Sequence, residues 1–384
     1  MGRRHPIFTD EHEMLRESLR SFIAREIAPH AAEWENQGSF PYREVFRRFG
    51  ELGFLGINLP QKYGGSEADF VSTVVFAEEM VGCNSGGVAA SIGLHTNIAL
   101  PYIADLGTEE QKDKYLIPGT RGEIIGSLGV TEPGAGSDVA SLRTYAVRDG
   151  DSYLINGSKI FITNGGIADY VILAAKTSRE AGHAGISLFL VDKGSPGFTV
   201  SRDLDKLGWR TCNTAELAFE DVRVPRSAML GEENQGFYNI MAHFQQERLY
   251  LAIGSVSSAQ KALGLASAYA KERVQFGRPI SKFQVTRHKI ADMATEIEAA
   301  RQLVYNTIRM YVEQEDCQVQ VAMCKLFACE MATRVMNEVI QIFGGYGYMM
   351  EYPAQRLWRD ARINTIGGGT SEIQREIIGR LLLQ

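Results

Sequence analysis

The first third of the chain has the apolar spacing of amphipathic helices. From about residue 8 to residue 121, apolar side chains such as Leu15, Leu19 and Phe22 recur every three to four positions. This interval places them on one face of a helix. Pro60 and nearby glycines interrupt the pattern, because both residue types break regular helices. The spacing therefore predicts several separate helices.

The middle third changes to short runs of β-branched and aromatic residues, which are typical of strands. Asn156-Gly157 lies between two such runs and suits the positive φ angles of a tight turn. We therefore expect Tyr153–Ile155 and Lys159–Thr163 to form a hairpin. Further strands are predicted at Tyr170–Ala174, Ile186–Val191, Phe198–Ser201 and Ala215–Phe219.

Helical spacing returns from about residue 234, and long helices are predicted near residues 236–273, 282–313 and 318–342. The three patterns of apolar residues together predict an α+β multidomain protein. Its N-terminal α-helical domain would span residues 1–121, its central β-barrel or sandwich-like domain residues 122–232, and its C-terminal four-helix bundle residues 233–384. Clefts between such domains are common places for small-molecule sites.

The composition is that of an ordinary globular protein. The chain has 384 residues, of which 45% are hydrophobic and 22% charged, enough for two to three domains. Its formal net charge is −6. This acidic balance argues weakly against a general nucleic-acid binder, which needs a basic face, and leaves small-molecule chemistry open.

Cysteine usage and targeting patterns predict a cytoplasmic protein. The five cysteines are scattered, without a Cys-x-x-Cys pair or a Cys/His cluster at metal-ligand spacing, so we expect reduced thiols and no metal site. The N-terminus resembles neither a signal peptide nor a mitochondrial transit peptide. The longest uncharged run, Met80–Ala104, contains Asn84, His95 and Pro101. It predicts a buried helix or helix pair rather than a membrane span.

Three glycine-rich motifs are candidates for the chemistry. Thr131–Asp138 reads T-E-P-G-A-G-S-D, and its turn residues would let backbone N–H groups point at an anion or a ring. Gln341–Gly347 ends a helix with close-packed glycines. Ile366–Gln374 places three glycines before a helix start, where unpaired amides attract negative oxygens. Each motif alone is at least as compatible with a structural turn or cap.

Taken in order, the motifs resemble those of the acyl-CoA dehydrogenase family. The matching segments are T-E-P-G-A-G-S-D, K-I-F-I-T-N at Lys159–Asn164, E-R-V-Q-F-G-R-P at Glu272–Pro279, Q-I-F-G-G-Y-G-Y at Gln341–Tyr348 and G-T-S-E-I-Q-R at Gly369–Arg375. The resemblance covers essentially the whole chain. It implies a homotetrameric FAD enzyme that oxidises an acyl-CoA thioester to trans-2-enoyl-CoA and passes electrons to an electron-transferring flavoprotein, without nucleic-acid binding or membrane insertion.

The resemblance also implies which residues hold FAD. In the β domain they are Leu128, Val130, Thr131, Gly136, Ser137, Phe161 and Thr163. In the C-terminal domain, partly from a neighbouring subunit, they are Arg273, Gln275, Phe276, Phe283, Gln284, Gln341, Ile342, Phe343, Gly344, Gly345, Thr370 and Glu372. An aromatic ring at position 161 would give the flavin a face to pack on, and the guanidinium of Arg273 would suit phosphate oxygens.

The chain departs from the family's commonest pattern at the catalytic base. Much of the family has a glutamate directly before the Gly-Thr of the last motif, where this chain has Gly368. The long-chain and isovaleryl branches place their glutamate on the first long C-terminal helix, in an E-R-L context that matches Glu247 here. The resemblance therefore implies that Glu247 removes the Cα proton, while the Gly368 N–H still serves the thioester oxygen.

Substrate contacts follow from the same resemblance. They are Ser137, Gln245, Arg248, Gly368 and Gly369. A base on the helix resembles enzymes for long-chain or branched acyl groups, including isovaleryl and citronellyl thioesters. Burial is expected to raise the pKa of the base, and Arg248 would oppose this if it points inward.

Other functions remain open at this point. An acyl-CoA oxidase or a flavin monooxygenase could use the same fold, although the monooxygenases dispense with the base glutamate. A non-catalytic DNA-associated flavoprotein of the alkylation-response type would be expected to add a basic surface or an extra C-terminal domain. The net charge and the ending at Gln384 argue against it. A pure interaction protein would leave five cofactor motifs unexplained.

Overall fold

A computed structural model of the chain describes residues 5–178 and 180–384. Residues 1–4, which belong to the predicted N-terminal domain and to the terminus searched for targeting patterns, lie outside the described residues, as does Arg179. All five cysteines are free and buried, as the scattered spacing predicts. No helix among the described residues is long and apolar enough to cross a membrane.

The N-terminal domain is helical, as the apolar spacing predicts. Side chains of Thr9, Asp69 and Ser85 accept hydrogen bonds from backbone N–H groups and so fix the starts of three of its helices. A π-helical segment, His95–Ala99, joins two helices of the long uncharged run. The helices are α1 (Asp10–Phe22), α2 (Ala31–Gln37), α3 (Tyr42–Glu51), α4 (Phe70–Met80), α5 (Gly86–Leu94), α6 (Leu100–Leu106), α7 (Glu109–Gln111) and α8 (Ile117–Thr120).

The central domain is one eight-stranded sheet. The strands are β1 (Gly126–Gly129), β2 (Tyr145–Asp149), β3 (Ser152–Thr163), β4 (Tyr170–Lys176), β5 (Ile186–Asp192), β6 (Phe198–Asp203), β7 (Thr214–Pro225) and β8 (Met229–Leu230). The order is β6-β7-β3-β2-β4-β5-β8, with β1 parallel to β4. The central strands β4 and β5 are almost wholly buried, which explains their continuous apolar sequence.

The predicted hairpin at Asn156-Gly157 is wrong. β3 runs through both residues, and the φ of +150° at Gly157 falls at a register shift against β7. The dipeptide therefore forms a bulge within a strand, which a missing side chain permits. The turn lies earlier, at Gly150 with a φ of +61°, where β2 and β3 pair up to Asp149 and Ser152.

The C-terminal domain consists of long helices with two short additions. The helices are α9 (Gly236–Glu272), α10 (Gln284–Val312), α11 (Gln318–Phe343), α12 (Pro353–Ala361) and α13 (Ser371–Leu382), and a small hairpin of β9 (Val274–Gln275) and β10 (Arg278–Pro279) joins the first two. Phe276 and Gly277 form its turn, both with positive φ, the geometry of a type I′ turn.

Helix α9 takes part in two hydrophobic cores. Leu249 belongs to a core that includes Phe76 of the N-terminal domain and Met331 of α11. About two and a half turns earlier, Ile240 belongs to a second core with Tyr102 of α6 and strands of the sheet. The stretch of α9 between these two positions therefore lies where all three domains meet.

Candidate active site

Glu247 lies on the stretch of α9 that spans the two cores. The residue is 9% exposed, and its Oε1 atom has no hydrogen-bond partner in the described part of the chain. One turn earlier, the ring of His243 stacks on Tyr102 of α6, with centroids 3.9 Å apart. This face of α9 is therefore turned toward the N-terminal domain.

The environment of Glu247 favours proton transfer near neutral pH. Burial raises its pKa to about 7, although the positive charges of His243 and Arg248 oppose the rise. A carboxyl group with such a pKa exchanges a proton readily under physiological conditions. This is the property required of a general base.

The loop that carries Gly368 lies directly against this part of α9. The Nε atom of Arg248 donates to the carbonyl oxygen of Gly368 at 3.4 Å. A Cβ atom built on Gly368 would stand 2.8 Å from Cδ1 of Leu251. The helix residues Arg248 and Leu251, which follow Glu247, therefore lie against Gly368. In the sequence, Glu247 and Gly368 are 121 positions apart.

Side chains from two helices hold the carbonyl groups of this loop. Gly368 and Gly369 have φ angles of +64° and +89°, a region that favours glycine. Lys325 of α11 donates to the Gly369 carbonyl at 2.6 Å, and Gln374 donates to both glycine carbonyls at 3.3 and 3.1 Å. Among the described residues, the N–H of Gly368 donates to no protein group. It is free to bind a substrate oxygen.

A buried ion pair fixes the glycine-rich segment Thr131–Asp138 to strand β3. The Lys159 Nζ atom, fully buried in β3, lies 2.8 Å from a carboxylate oxygen of Glu132 and 3.0 Å from the Val130 carbonyl. Glu132 also accepts from the amides of Arg143 and Thr144 at 2.5 and 2.9 Å. Burial opposes ionisation, but these partners keep the pKa of Glu132 below its usual value.

The exposed side of this segment fits a planar aromatic group. Phe161 has a φ of +62° at a bulge in β3, and 65% of it is exposed. Open space surrounds the Cβ positions of Gly134 and Gly136, so the backbone there is accessible. Phe161 follows Ile160, whose amide donates to the Thr131 carbonyl of this segment, and an exposed ring on a strained backbone gives the isoalloxazine of FAD a face to pack on. Leu128, Thr131 and Thr163 are partly buried, Val130 is buried and Ser137 is exposed.

The remaining predicted cofactor residues lie at helix ends and in the β9–β10 hairpin of the C-terminal domain. The Oγ1 atom of Thr370 caps α13, with Glu372 in its first turn. Phe276, 93% exposed, forms the tip of the β9–β10 hairpin and has its ring centroid 6.1 Å from that of Phe283. The Arg273 guanidinium lies 5.4 Å from the ring of Tyr346. These groups suit a phosphate-bearing ligand.

The other predicted cofactor residues of the C-terminal domain are exposed or lie at a helix end. They are Gln275 on β9, Gln284 at the start of α10, Gln341, Ile342 and Phe343 at the end of α11, and Gly344 and Gly345 directly after it. The predicted substrate residue Gln245 lies on α9, and its Oε1 atom is buried without a partner in the described part of the chain.

Four residues of this region escape the sequence motifs. His243 could have been found as the position one turn before Glu247, since residues four apart share a helix face. Asp105 of α6 has a carboxylate oxygen 3.1 Å from Nε2 of His243, and Tyr102, Asp105 and Lys325 carry no local signal. They come from other elements, and only the tertiary fold places them here.

Comparison with known proteins gives the family. Three family models match the chain: "Acyl-CoA dehydrogenase, N-terminal domain" at residues 9–123, "Acyl-CoA dehydrogenase, middle domain" at 127–222 and "Acyl-CoA dehydrogenase, C-terminal domain" at 234–383. A probable acyl-CoA dehydrogenase from Mycobacterium abscessus has a crystal structure that superposes with a TM-score of 0.95. It is 46% identical, and the match covers 97% of this chain and 99% of that one.

Relatives named for different substrates are about equally similar. The mouse mitochondrial long-chain specific acyl-CoA dehydrogenase is 43% identical over 98% of this chain and 87% of its own. The Clostridium acetobutylicum short-chain specific enzyme is 43% identical over 96% and 97%. The isovaleryl-CoA dehydrogenase of Pongo abelii is 42% identical over 97% and 88%. Fold, motifs and relatives agree, and the chain belongs to the acyl-CoA dehydrogenase family of FAD-dependent oxidoreductases.

Proposed function

We propose that the protein oxidises a long-chain or branched acyl-CoA to its trans-2-enoyl-CoA, with Glu247 as the base that removes the Cα proton. The observation that carries this proposal is a buried carboxylate that has no partner on Oε1 and a pKa of about 7. The next residue on its helix, Arg248, donates to the carbonyl of Gly368, the loop residue with the free amide. In this geometry one group can take a proton and the other can stabilise the oxygen that gains negative charge.

The roles of the chain's own residues follow from their contacts. The Gly368 N–H would donate to the thioester oxygen as enolate character develops, and Arg248, Gln374 and Lys325 keep the loop carbonyls turned away from that oxygen. Burial of Glu247 excludes water from the proton acceptor. FAD, when bound, supplies the hydride acceptor for the Cβ hydrogen. Leu128, Val130, Thr131, Gly136, Ser137, Phe161 and Thr163 would hold its flavin part.

The finer features of the family resemblance belong to this proposal as well. The groups at Arg273, Phe276 and Gln341–Gly345 would reach the diphosphate and adenosine of a cofactor bound by a neighbouring subunit of a homotetramer. The proposed domains span residues 1–121, 122–232 and 233–384. An electron-transferring flavoprotein would accept the electrons, in the cytoplasm. Ser137, Gln245, Arg248, Gly368 and Gly369 would contact the acyl-CoA.

Base position supports the substrate preference. With glycine at position 368, no side chain projects from the oxyanion loop, and Leu251 occupies the adjoining space. The carboxylate would instead approach from α9, the base position that resembles that of the long-chain and isovaleryl branches of the family. Straight-chain thioesters from butyryl- to stearoyl-CoA, together with isovaleryl- and citronellyl-CoA, form the panel that tests this preference.

The test is anaerobic bleaching of the flavin by each thioester, followed by dye-coupled turnover. We expect bleaching by the wild type and by Glu17→Gln, a matched change on an exposed position of α1, but not by Glu247→Gln. Stoichiometric hydrogen peroxide during aerobic turnover would indicate an oxidase instead. A preference for butyryl-CoA would contradict the proposed substrate class.

A further inference from the structure

A half-buried histidine, His243, lies one helical turn before Glu247 on α9. The side chain of His243 on α9 is 11% exposed. Its Nε2 atom lies 3.1 Å from a carboxylate oxygen of Asp105 in α6, and its Nδ1 atom lies 2.9 Å from the carbonyl oxygen of Asn239. Its ring covers Tyr102. Every polar atom of the imidazole is therefore engaged.

The two partners fix the protonation state of this ring. A carboxylate and a backbone carbonyl are both acceptors, so each ring nitrogen must donate a hydrogen. Only the imidazolium form carries both N–H groups. Burial lowers the pKa of His243, but the hydrogen bonds that its ring donates to Asp105 and to the Asn239 carbonyl outweigh burial and raise the pKa above its usual value.

The imidazolium charge lies one helical turn from Glu247, since residues four apart are neighbours on a helix face. The other groups that face Glu247 are the guanidinium of Arg248 on the same helix and the neutral hydroxyl of Tyr102 from α6. Those that face His243 are Asp105 and Tyr102 from α6 and Glu247 itself. His243 is thus one of two positively charged groups near the Glu247 carboxylate. Of the two, it is the one that is hydrogen-bonded to a further acidic residue, Asp105.

We propose that His243 is a positioning residue for the base: Asp105 and the Asn239 carbonyl hold it as an imidazolium, and its charge stabilises the ionised carboxylate of Glu247. This inference rests on the proposed function, in which Glu247 accepts the Cα proton. Because only the ionised form can accept it, the cation extends activity toward lower pH. A chain without it would need a higher pH to reach the same rate.

Two substitutions separate charge from packing. His243→Phe keeps an aromatic ring on Tyr102 but removes the charge, and His243→Lys restores a cation without the ring. Asp105→Asn leaves the histidine but removes the anion that holds its proton. His183→Phe is the matched control, since His183 is an exposed histidine whose ring contacts Phe237 in the first turn of α9.

The readout is the pH profile of flavin bleaching by saturating acyl-CoA in the FAD-loaded enzyme. We expect His243→Phe to move the acid limb to higher pH by about one unit, or about tenfold in rate well below the limb, with an unchanged plateau. His243→Lys should return the limb toward the wild-type position. Asp105→Asn should give a smaller shift in the same direction, because Asp105 is 63% exposed and its charge is screened.

Infrared titration of the carboxyl band, identified by its loss in Glu247→Gln, measures the same shift without turnover. An unmoved limb and band in His243→Phe would overturn the proposal. If that variant fails to retain FAD, an unmoved limb in Asp105→Asn overturns it. Persistent bleaching by Glu247→Gln would instead refute the proposed function, so the two failures are distinguishable.

Discussion

Two buried glutamates in this protein have opposite surroundings. Glu132 and Glu247 are 6% and 9% exposed, and each belongs to a motif that the sequence singles out. Glu132 has a lysine at 2.8 Å and two backbone amides, whereas Oε1 of Glu247 has no partner in the described part of the chain. Burial raises the pKa of both groups, but only Glu132 has partners that bring it below its usual value.

In the proposed function, this difference distinguishes a structural carboxylate, Glu132, from a catalytic one, Glu247. A paired buried ion contributes a fixed link, here between the glycine-rich segment and β3, and it is costly to break. An unpaired buried carboxylate remains basic and accessible to a proton from substrate. Burial alone therefore does not identify a catalytic acid or base, and the set of partners does.

The largest expected effect comes from Glu247→Gln. It should lower the rate of flavin reduction by about a thousandfold, the usual range for loss of a general base, with normal FAD content. Because the pKa of Glu247 is raised in the folded protein, the folded state loses stability relative to the unfolded state as pH rises from the ordinary pKa of a glutamate to about 7. The variant should therefore unfold at the same or a higher temperature at pH 8. Stopped-flow absorbance measures the rate of flavin reduction, and calorimetry measures the unfolding temperature.

Whereas Glu247→Gln should lower activity, Glu132→Gln should lower the stability of the fold. It leaves the ammonium of Lys159 buried without its counter-charge, and the free energy of unfolding should fall by about 3–5 kcal/mol. Denaturant titration measures this loss. The double variant with Lys159→Met should regain much of it, and a loss below about 1 kcal/mol in the single variant would remove the contrast between the two glutamates.

Lys325→Met tests the loop that faces Glu247. Without the hydrogen bond to the Gly369 carbonyl, the Gly368 amide should be less well oriented, and kcat should fall about tenfold with little change in KM. Removing an oxyanion donor outright costs more than this. Lys289→Met, an ion-paired lysine on α10, is the control, and a rise in KM at constant kcat would contradict the role.

The smallest effect is expected from moving the carboxylate to the loop. Gly368→Glu in the Glu247→Gln background must adopt a φ of +64° and displace Leu251, so recovery of bleaching should be slight. Adding Leu251→Ala should increase it, most for short straight chains. Full recovery without the Leu251 change would show that the loop is less constrained than its contacts indicate.

The sequence predicted the helical and β regions because their apolar spacing differs, and the motif pattern led to Glu247 and Gly368. It failed where a local signal had two structural meanings: Asn156-Gly157 suits a turn, but here it forms a bulge. It also could not reveal Asp105 or Lys325, because both reach the site from helices distant in sequence. Long-range placement of charge depends on packing, which no local pattern encodes.

The most direct test of Glu247 as the base is exchange of the substrate's Cα hydrogen with solvent. Acyl-CoA is incubated anaerobically in D₂O with the FAD-loaded enzyme, and deuterium at Cα is measured by mass spectrometry. We predict exchange with the wild type and Glu17→Gln and its loss with Glu247→Gln. Undiminished exchange with Glu247→Gln would contradict the assignment of Glu247 as the base.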